Sequence, residues 1–433
     1  MSKEKLFYRV AGAMSEKDGL QKSLTWLQGT ALTVGGVIGS GILVLPSIAA
    51  VIAGPASLIS WALMGLLSLP MVLAVGEMSS AYPNSGGIAA YAEQAFSPRV
   101  SQLITLLILT AMPIGMPFTA LVGANYLADM LGLGSVGTHV AAGMLLIIAA
   151  ALNYRGIELS GNTQIFVVGT IIFILLFVVL SAAPQVKASE FTPFFSKGAL
   201  SVAQTLPLLF FAFLGWEMVG HVSEEFKNPE KDIQKSLNIS FVVVNSVYIL
   251  TAIVIIGSGV YKVGNPNVSM VTLVTERWGS LAAAFVSVLG FVACYCPIHT
   301  YTAGFSRLIY SQSRGGSLPA FLGKIHPRYK TPHIALIAYT PVFIVILSAS
   351  CIFSWDLRPL ISFPSASFLM VYTIGMFSVG KVLTSKRGKL SGYLSAIMTF
   401  FVLLCSGLYA LLPISITIAF LIKYRKETLQ IKQ

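Results

Sequence analysis

Gly35-Gly36-Val37-Ile38-Gly39-Ser40-Gly41 lies in the middle of a stretch, Lys22 to Glu77, whose 54 intervening residues include no charged side chain. A membrane-spanning helix takes about 20 apolar residues. The stretch therefore holds two spans, with the glycines near the centre of the first. Glycine is costly inside a helix. Unwound backbone also exposes N–H and C=O groups that lipid cannot satisfy, so a break at this depth survives only where protein buries it or where it lines a cavity. A cavity edged with bare backbone groups suits a small polar ligand.

Outward from that stretch the composition agrees. Of the 433 residues, 55% are apolar and 10% charged, against about 25% charged in ordinary soluble domains. Such a chain belongs in a bilayer. Further apolar runs occupy 100–128, 130–154, 159–186, 198–216, 236–261, 278–306, 331–355 and 359–380, and the run from Ser391 to Ile422 has length for one helix or for two short ones joined near Gly407. Twelve spans alternating from a cytoplasmic N-terminus put 23 of the 28 basic residues inside. Lys187, Lys197, Lys262, Arg277 and Arg358 fall outside. That asymmetry is the positive-inside bias, and eleven spans would push the basic C-terminal tail out.

The expected architecture is thus an all-α polytopic membrane protein of 12 transmembrane helices. The net charge of +12 is explained by topology and lipid headgroups, without nucleic acid. No extramembrane stretch is long enough for a separate domain. The first apolar run is too long for a signal peptide and is expected to stay as span one. Cys294, Cys296, Cys351 and Cys405 sit in or beside apolar runs without a histidine cluster, so buried thiols are expected rather than a metal site. No cofactor is expected.

Span six reads Leu209-Phe210-Phe211-Ala212-Phe213-Leu214-Gly215-Trp216-Glu217-Met218, with a glycine and a carboxylate near its middle. It approaches from the side opposite to span one. Two interrupted helices at the heads of two oppositely oriented halves point to a five-plus-five inverted repeat with a midplane site. The expected divisions are a cytoplasmic N-terminal tail at 1–23, a first repeat at 24–183, a second at 200–380, spans eleven and twelve within 390–422, and a cytoplasmic tail at 423–433.

At these residues the chain resembles the amino acid, polyamine and organocation transporter superfamily. The resemblance rests on Gly36-Val37-Ile38-Gly39-Ser40-Gly41-Ile42 and Phe213-Leu214-Gly215-Trp216-Glu217. It extends to Tyr82-Pro83-Asn84-Ser85-Gly86-Gly87 after span two, Glu225-Phe226-Lys227-Asn228-Pro229-Glu230-Lys231-Asp232 after span six, and Ser306-Arg307 through Arg314-Gly315-Gly316-Ser317-Leu318-Pro319 to Pro332-His333 after span eight. Within the superfamily the block from Phe211 to Asp232 and the segment Pro113-Ile114-Gly115-Met116-Pro117 are most similar to bacterial exporters of methionine and branched-chain amino acids. The resemblance implies a leucine-transporter-like fold in a bacterial cell membrane, with spans 1 and 6 rocking against a scaffold of spans 3, 4, 8 and 9. It implies efflux by proton antiport; uptake by symport and exchange use the same architecture.

An amino acid zwitterion can be met by helix ends. Free N–H groups of Gly39, Ser40 and Gly41, at the positive dipole end of the outer half of span one, suit the carboxylate. Carbonyls near Gly36 to Ile38 and near Phe211 to Leu214, beside Gly215, suit the ammonium. Ile38, Met112, Met116, Phe211, Phe213 and Trp216 would give an aliphatic pocket. The plainer reading of the glycines is close helix packing, and of the methionines, core or lipid contact. Glu217 is the acid well inside an apolar run, and an ionisable group there marks function by default; it either carries the coupling proton or caps N–H groups freed at the break. His299 in span eight is a second candidate for ion coupling, since histidine ordinarily titrates near neutral pH; a packed, hydrogen-bonded role is the simpler account. Sodium stays open: Ser287, Thr300 and Thr302 offer hydroxyls on span eight, and span five has no lysine. A channel would need a continuous polar pore, and an intramembrane enzyme a nucleophile and base or a metal constellation. The sequence contains neither pattern. Oligomeric state is not legible from it.

Overall fold

The computed structural model describes residues 22–263, 268–355 and 357–430. Apart from Lys22 and Ser23, the tail expected over 1–23 lies outside these residues, as do 431–433. Fifteen α-helices and no β-strand occur among the described residues. They are α1 (Trp26–Val37), α2 (Ser40–Ala53), α3 (Ser57–Ala81), α4 (Ile88–Ala95), α5 (Pro98–Leu131), α6 (Ser135–Arg155), α7 (Ile157–Ala182), α8 (Leu200–Phe210) and α9 (Met218–His221). The remainder are α10 (Pro229–Ser258), α11 (Ser269–Arg314), α12 (His333–Phe353), α13 (Leu357–Val382), α14 (Lys386–Leu404) and α15 (Leu411–Gln430).

Ten helical stretches among the described residues are long and apolar enough to cross a membrane, and the first, Trp26–Ala81, is 56 residues long and contains α1 to α3. The chain is a multi-pass helical membrane protein. Helices are what apolar sequence can form in lipid, because each backbone group finds its partner within the segment. α14 falls outside those ten; its first turn carries Lys386, Arg387 and Lys389. The last apolar run divides at Gly407, whose φ of 57° is open to glycine, so α14 and α15 are separate helices. Prolines lie inside several helices, and near the end of α8 Ser365 Oγ donates to Pro207 O at 2.6 Å.

Two packing groups emerge. α5, α6, α11 and α12 pack on one another, while α10 packs against α1, α2 and α3, and α8 against α2 and α3. The first group corresponds to spans 3, 4, 8 and 9. The connections also sort to two ends. At one end Leu24 pairs with Phe226 as an isolated parallel bridge, Ser85 N donates to Glu224 Oε1 at 2.7 Å, and Thr331 Oγ1 donates to Tyr154 O at 2.9 Å. At the other, Lys187 N donates to Gly257 O at 2.8 Å and Lys262 pairs with Glu190 at 2.5 Å. The segment before α1 and the connections after α3, α6, α9 and α11 therefore share an end, as alternating spans require.

Candidate functional site

The first helix stops where the glycines begin. Ile38 (φ −78°, ψ 105°) and Gly39 (φ −159°, ψ −132°) leave helical dihedrals between α1 and α2. The first N–H groups of α2 consequently have no acceptor within their own helix, and no side chain caps them. α8 ends at Phe210, passes through a 3₁₀ turn at Phe211–Phe213, and extends at Leu214 (φ −73°, ψ 146°). Gly215 then takes φ 128°, a region that side chains avoid. A β-carbon there would lie 2.7 Å from Val37 Cγ2 and 3.0 Å from Gly36 C, so the two breaks meet at this glycine. Gly39 is pressed equally hard, its missing β-carbon 2.3 Å from Pro297 Cγ of α11. Close packing and unwinding are thus both present, and the first does not replace the second.

A cavity opens beside the crossing. Its lining includes the broken segment Gly36, Val37, Gly39, Ser40 and Gly41, with Met112, Gly115, Met116 and Thr119 from α5. Phe211 and Leu214 close it from the second break, Pro297 and Tyr301 from α11, and Pro364 and Phe368 from α13. No charged side chain is among them. The volume is about 30 Å³.

The freed carbonyls are held from α10. Tyr248 Oη lies 2.7 Å from Val37 O and 2.7 Å from Ala212 O, the two chain ends expected to receive an ammonium. A hydroxyl has one proton. At any moment one of those carbonyls lacks a donor from Tyr248.

Glu217 is fully buried and sits at the far side of the second break. Its Oε2 accepts from Gly215 N at 3.0 Å and from Tyr372 Oη, and its Oε1 accepts from Tyr301 Oη at 3.0 Å. Its own N–H donates to Tyr372 Oη at 3.2 Å. No ion pair reaches it among the described residues. The capped N–H belongs to Gly215 in the break; the start of α9 has no side-chain cap.

Six of the twelve residues expected at the site line the cavity: Gly39, Ser40, Gly41, Met112, Met116 and Phe211. Ile38 and Gly215 form the breaks beside it. Phe213 packs edge-on against Tyr248, with centroids 5.1 Å apart, and near Trp61 at 6.0 Å; Trp216 is fully buried with Nε1 unbonded among the described residues. His299 lies apart, 2.8 Å from Tyr295 Oη and 3.2 Å from Asn153 Nδ2. Of the span-eight hydroxyls, Thr300 reaches α1, donating to Leu32 O at 3.1 Å, and Gln164 Nε2 of α7 lies 3.4 Å from it. Tyr248, Tyr301 and Tyr372 escaped the sequence reading because tyrosine in an apolar run resembles core. One signal was available: Tyr301 follows the helix-interrupting Pro297 by four residues, on the same face.

A second buried cluster lies at the end that carries the segment before α1. Arg307 Nε donates to Glu225 Oε1 at 2.5 Å and Nη2 to Oε2 at 3.3 Å, and Nη1 reaches Ala303 O at 3.2 Å and Ser306 Oγ at 3.1 Å. The side chains are 0% and 2% exposed. Glu225 O also accepts from Ser23 N at 3.0 Å and Leu24 N at 2.9 Å. His221 Nδ1 lies 3.1 Å from Ser85 O. Three connections and α11 are therefore locked together.

Two interrupted helices crossing at a small uncharged cavity, within a bundle of membrane-crossing helices, define a membrane transporter for small molecules. The amino acid permease family model matches residues 24–425, and the chain belongs to that family. It is 36% identical over 364 residues to the uncharacterized amino acid permease YecA of Bacillus subtilis (strain 168), covering 84% of this chain and 86% of the relative. It is 27% identical over 403 residues to the L-methionine/branched-chain amino acid exporter YjeH of Escherichia coli (strain K12), covering 92% and 95%. The branched-chain amino acid permease BcaP of Bacillus subtilis (strain 168) matches at 27% over 356 residues, covering 77% and 76%.

Proposed function

We propose that the protein is a twelve-span secondary transporter that exports a neutral aliphatic amino acid, of methionine or leucine type, by proton antiport across the cell membrane, with both termini cytoplasmic. One observation carries the reading: the cavity at the crossed breaks is lined by apolar side chains, backbone and the three hydroxyl-bearing residues Ser40, Thr119 and Tyr301, with no charged side chain. A substrate with a charged side chain would find no partner there. The α-amino and α-carboxylate groups find theirs in the helix ends, the carboxylate at the N–H groups of Gly39, Ser40 and Gly41 and the ammonium at the carbonyls bridged by Tyr248.

The halves 24–183 and 200–380 act as inverted repeats, with 390–422 appended. Spans 1 and 6 move against the group of α5, α6, α11 and α12, and that group's mutual packing supports its role as scaffold. The Arg307–Glu225 cluster keeps the cytoplasmic end shut in this conformation. Glu217 carries the exchanged proton: it is buried beside the cavity, hydrogen-bonded, and without a cation to fix its charge. The relative named as an L-methionine/branched-chain exporter supports both substrate and direction.

The test is release of radiolabelled methionine or leucine from proteoliposomes, with and without an imposed inward proton gradient. Acceleration by the gradient, lost in Glu217→Gln while methionine exchange persists, is the expected result. Accumulation under the same gradient would make the protein an uptake symporter. Gradient-driven release retained in Glu217→Gln would remove the proton role of that residue.

A further inference from the structure

Tyr301 is the side chain that, among the described residues, both lines the cavity and bonds to Glu217. Its hydroxyl has one proton to give and two lone pairs to offer. Glu217 Oε2 already accepts two donors, Gly215 N–H and Tyr372 O–H, whereas Oε1 accepts, among the described residues, the one from Tyr301. A proton arriving at this carboxylate therefore goes to Oε1. Once there, buried away from water, it needs an acceptor, and the hydroxyl oxygen 3.0 Å away is the one in reach.

We propose that Tyr301 turns the protonation state of Glu217 into the polarity of the cavity wall, so that protons and amino acid compete for the site. With Glu217 charged, Tyr301 donates to Oε1 and shows the cavity only lone pairs, which favour an ammonium. With Glu217 protonated, the carboxylic O–H donates to Tyr301 and the phenolic proton swings into the cavity, where it opposes the ammonium. No proton leaves Tyr301 for good; one O–H rotates and one O–H forms on Glu217. Substrate is held while Glu217 is charged and released when it is protonated. This is the thermodynamic core of antiport, and it rests on the proton-carrying role of Glu217 proposed above. The other titratable groups facing the pair are Tyr372 from α13 and Tyr248 from α10; neither lines the cavity, and no charged side chain pairs with Glu217 among the described residues.

The experiment is calorimetric titration of purified full-length protein with methionine across acidic to mildly alkaline pH, on wild type, Tyr301→Phe and Glu217→Gln. Competition with a single proton weakens wild-type binding by up to about tenfold per pH unit on the acidic side. Both variants are expected to bind with an affinity that no longer changes with pH. A flat Glu217→Gln beside a Tyr301→Phe that keeps the wild-type slope overturns the relay and leaves Glu217 as the proton carrier. A Glu217→Gln that keeps the slope overturns both. If Tyr301→Phe does not fold, Tyr301→Leu removes the same hydroxyl and is read in the same way.

Discussion

Replacing Glu225 by glutamine removes the charge that balances a guanidinium with no exposure to solvent. Of the four hydrogen bonds that Arg307 makes, two go to the Glu225 carboxylate, at 2.5 and 3.3 Å, and two to Ala303 O and Ser306 Oγ. Hydrogen bonds to charged groups contribute about 1.5–3 kcal/mol each. Glutamine keeps one acceptor oxygen, so one of these bonds is lost outright, and with the guanidinium left buried without its counter-charge the loss should approach the roughly 3–5 kcal/mol typical of breaking a buried pair from one side. Arg307→Met, which leaves the carboxylate unpaired, should cost a similar amount. The paired change Glu225→Met with Arg307→Met leaves no buried charge, and apolar replacement of a buried pair is often neutral, so it should restore most of the loss. Denaturation of purified protein in mixed micelles by increasing SDS measures all four forms. Single losses below about 1 kcal/mol, with a double variant no more stable than either single one, would match an exposed pair and refute a buried lock. Because the same carboxylate belongs to the residue that grips Ser23 and Leu24, each single variant should also make a cysteine placed at that end of the bundle react faster with a water-soluble maleimide.

Two further outcomes follow from the crossing. Gly215→Ala places a β-carbon 2.7 Å from Val37 Cγ2 at a φ of 128°; strain of about 1–3 kcal/mol should lower the stability of this closed state and depress transport, and wild-type methionine flux in proteoliposomes would contradict it. His299→Gln should keep the pH dependence of methionine transport, since its contacts are Tyr295 and Asn153 rather than the cavity, at a stability cost of about 1 kcal/mol; loss of that dependence would move the coupling site to His299.

Length, charge spacing and apolar runs made the membrane class legible, because lipid leaves a chain few ways to satisfy its backbone. The two breaks were legible as well: Gly35 to Gly41 and Gly215 with Glu217 violate the rules for a membrane helix, and a violation in lipid is visible without a structure. Gly39, Ser40, Gly41, Met112, Met116 and Phe211 could be named for the cavity because all six lie at the breaks or directly beside a proline. Phe213, Trp216 and His299 could not be sorted by the same logic, since within one turn of helix a residue faces the ligand or a neighbouring helix according to rotations that sequence does not record.

What the tertiary structure decided is which distant groups meet. Tyr248, Tyr301 and Tyr372 stand on three helices, far from Val37, Ala212 and Glu217 in sequence, and their spacing along the chain has no period that announces a shared point. The pairing of Glu225 with Arg307 is of the same kind, 82 residues apart. Sequence by itself determined that this chain lies in a membrane, breaks two of its helices and leaves one acid at depth. The packing of helices determined which hydroxyls hold that acid and which ion pair ties one end together, because hydrogen-bond partners are set by positions in space within a few tenths of an ångström.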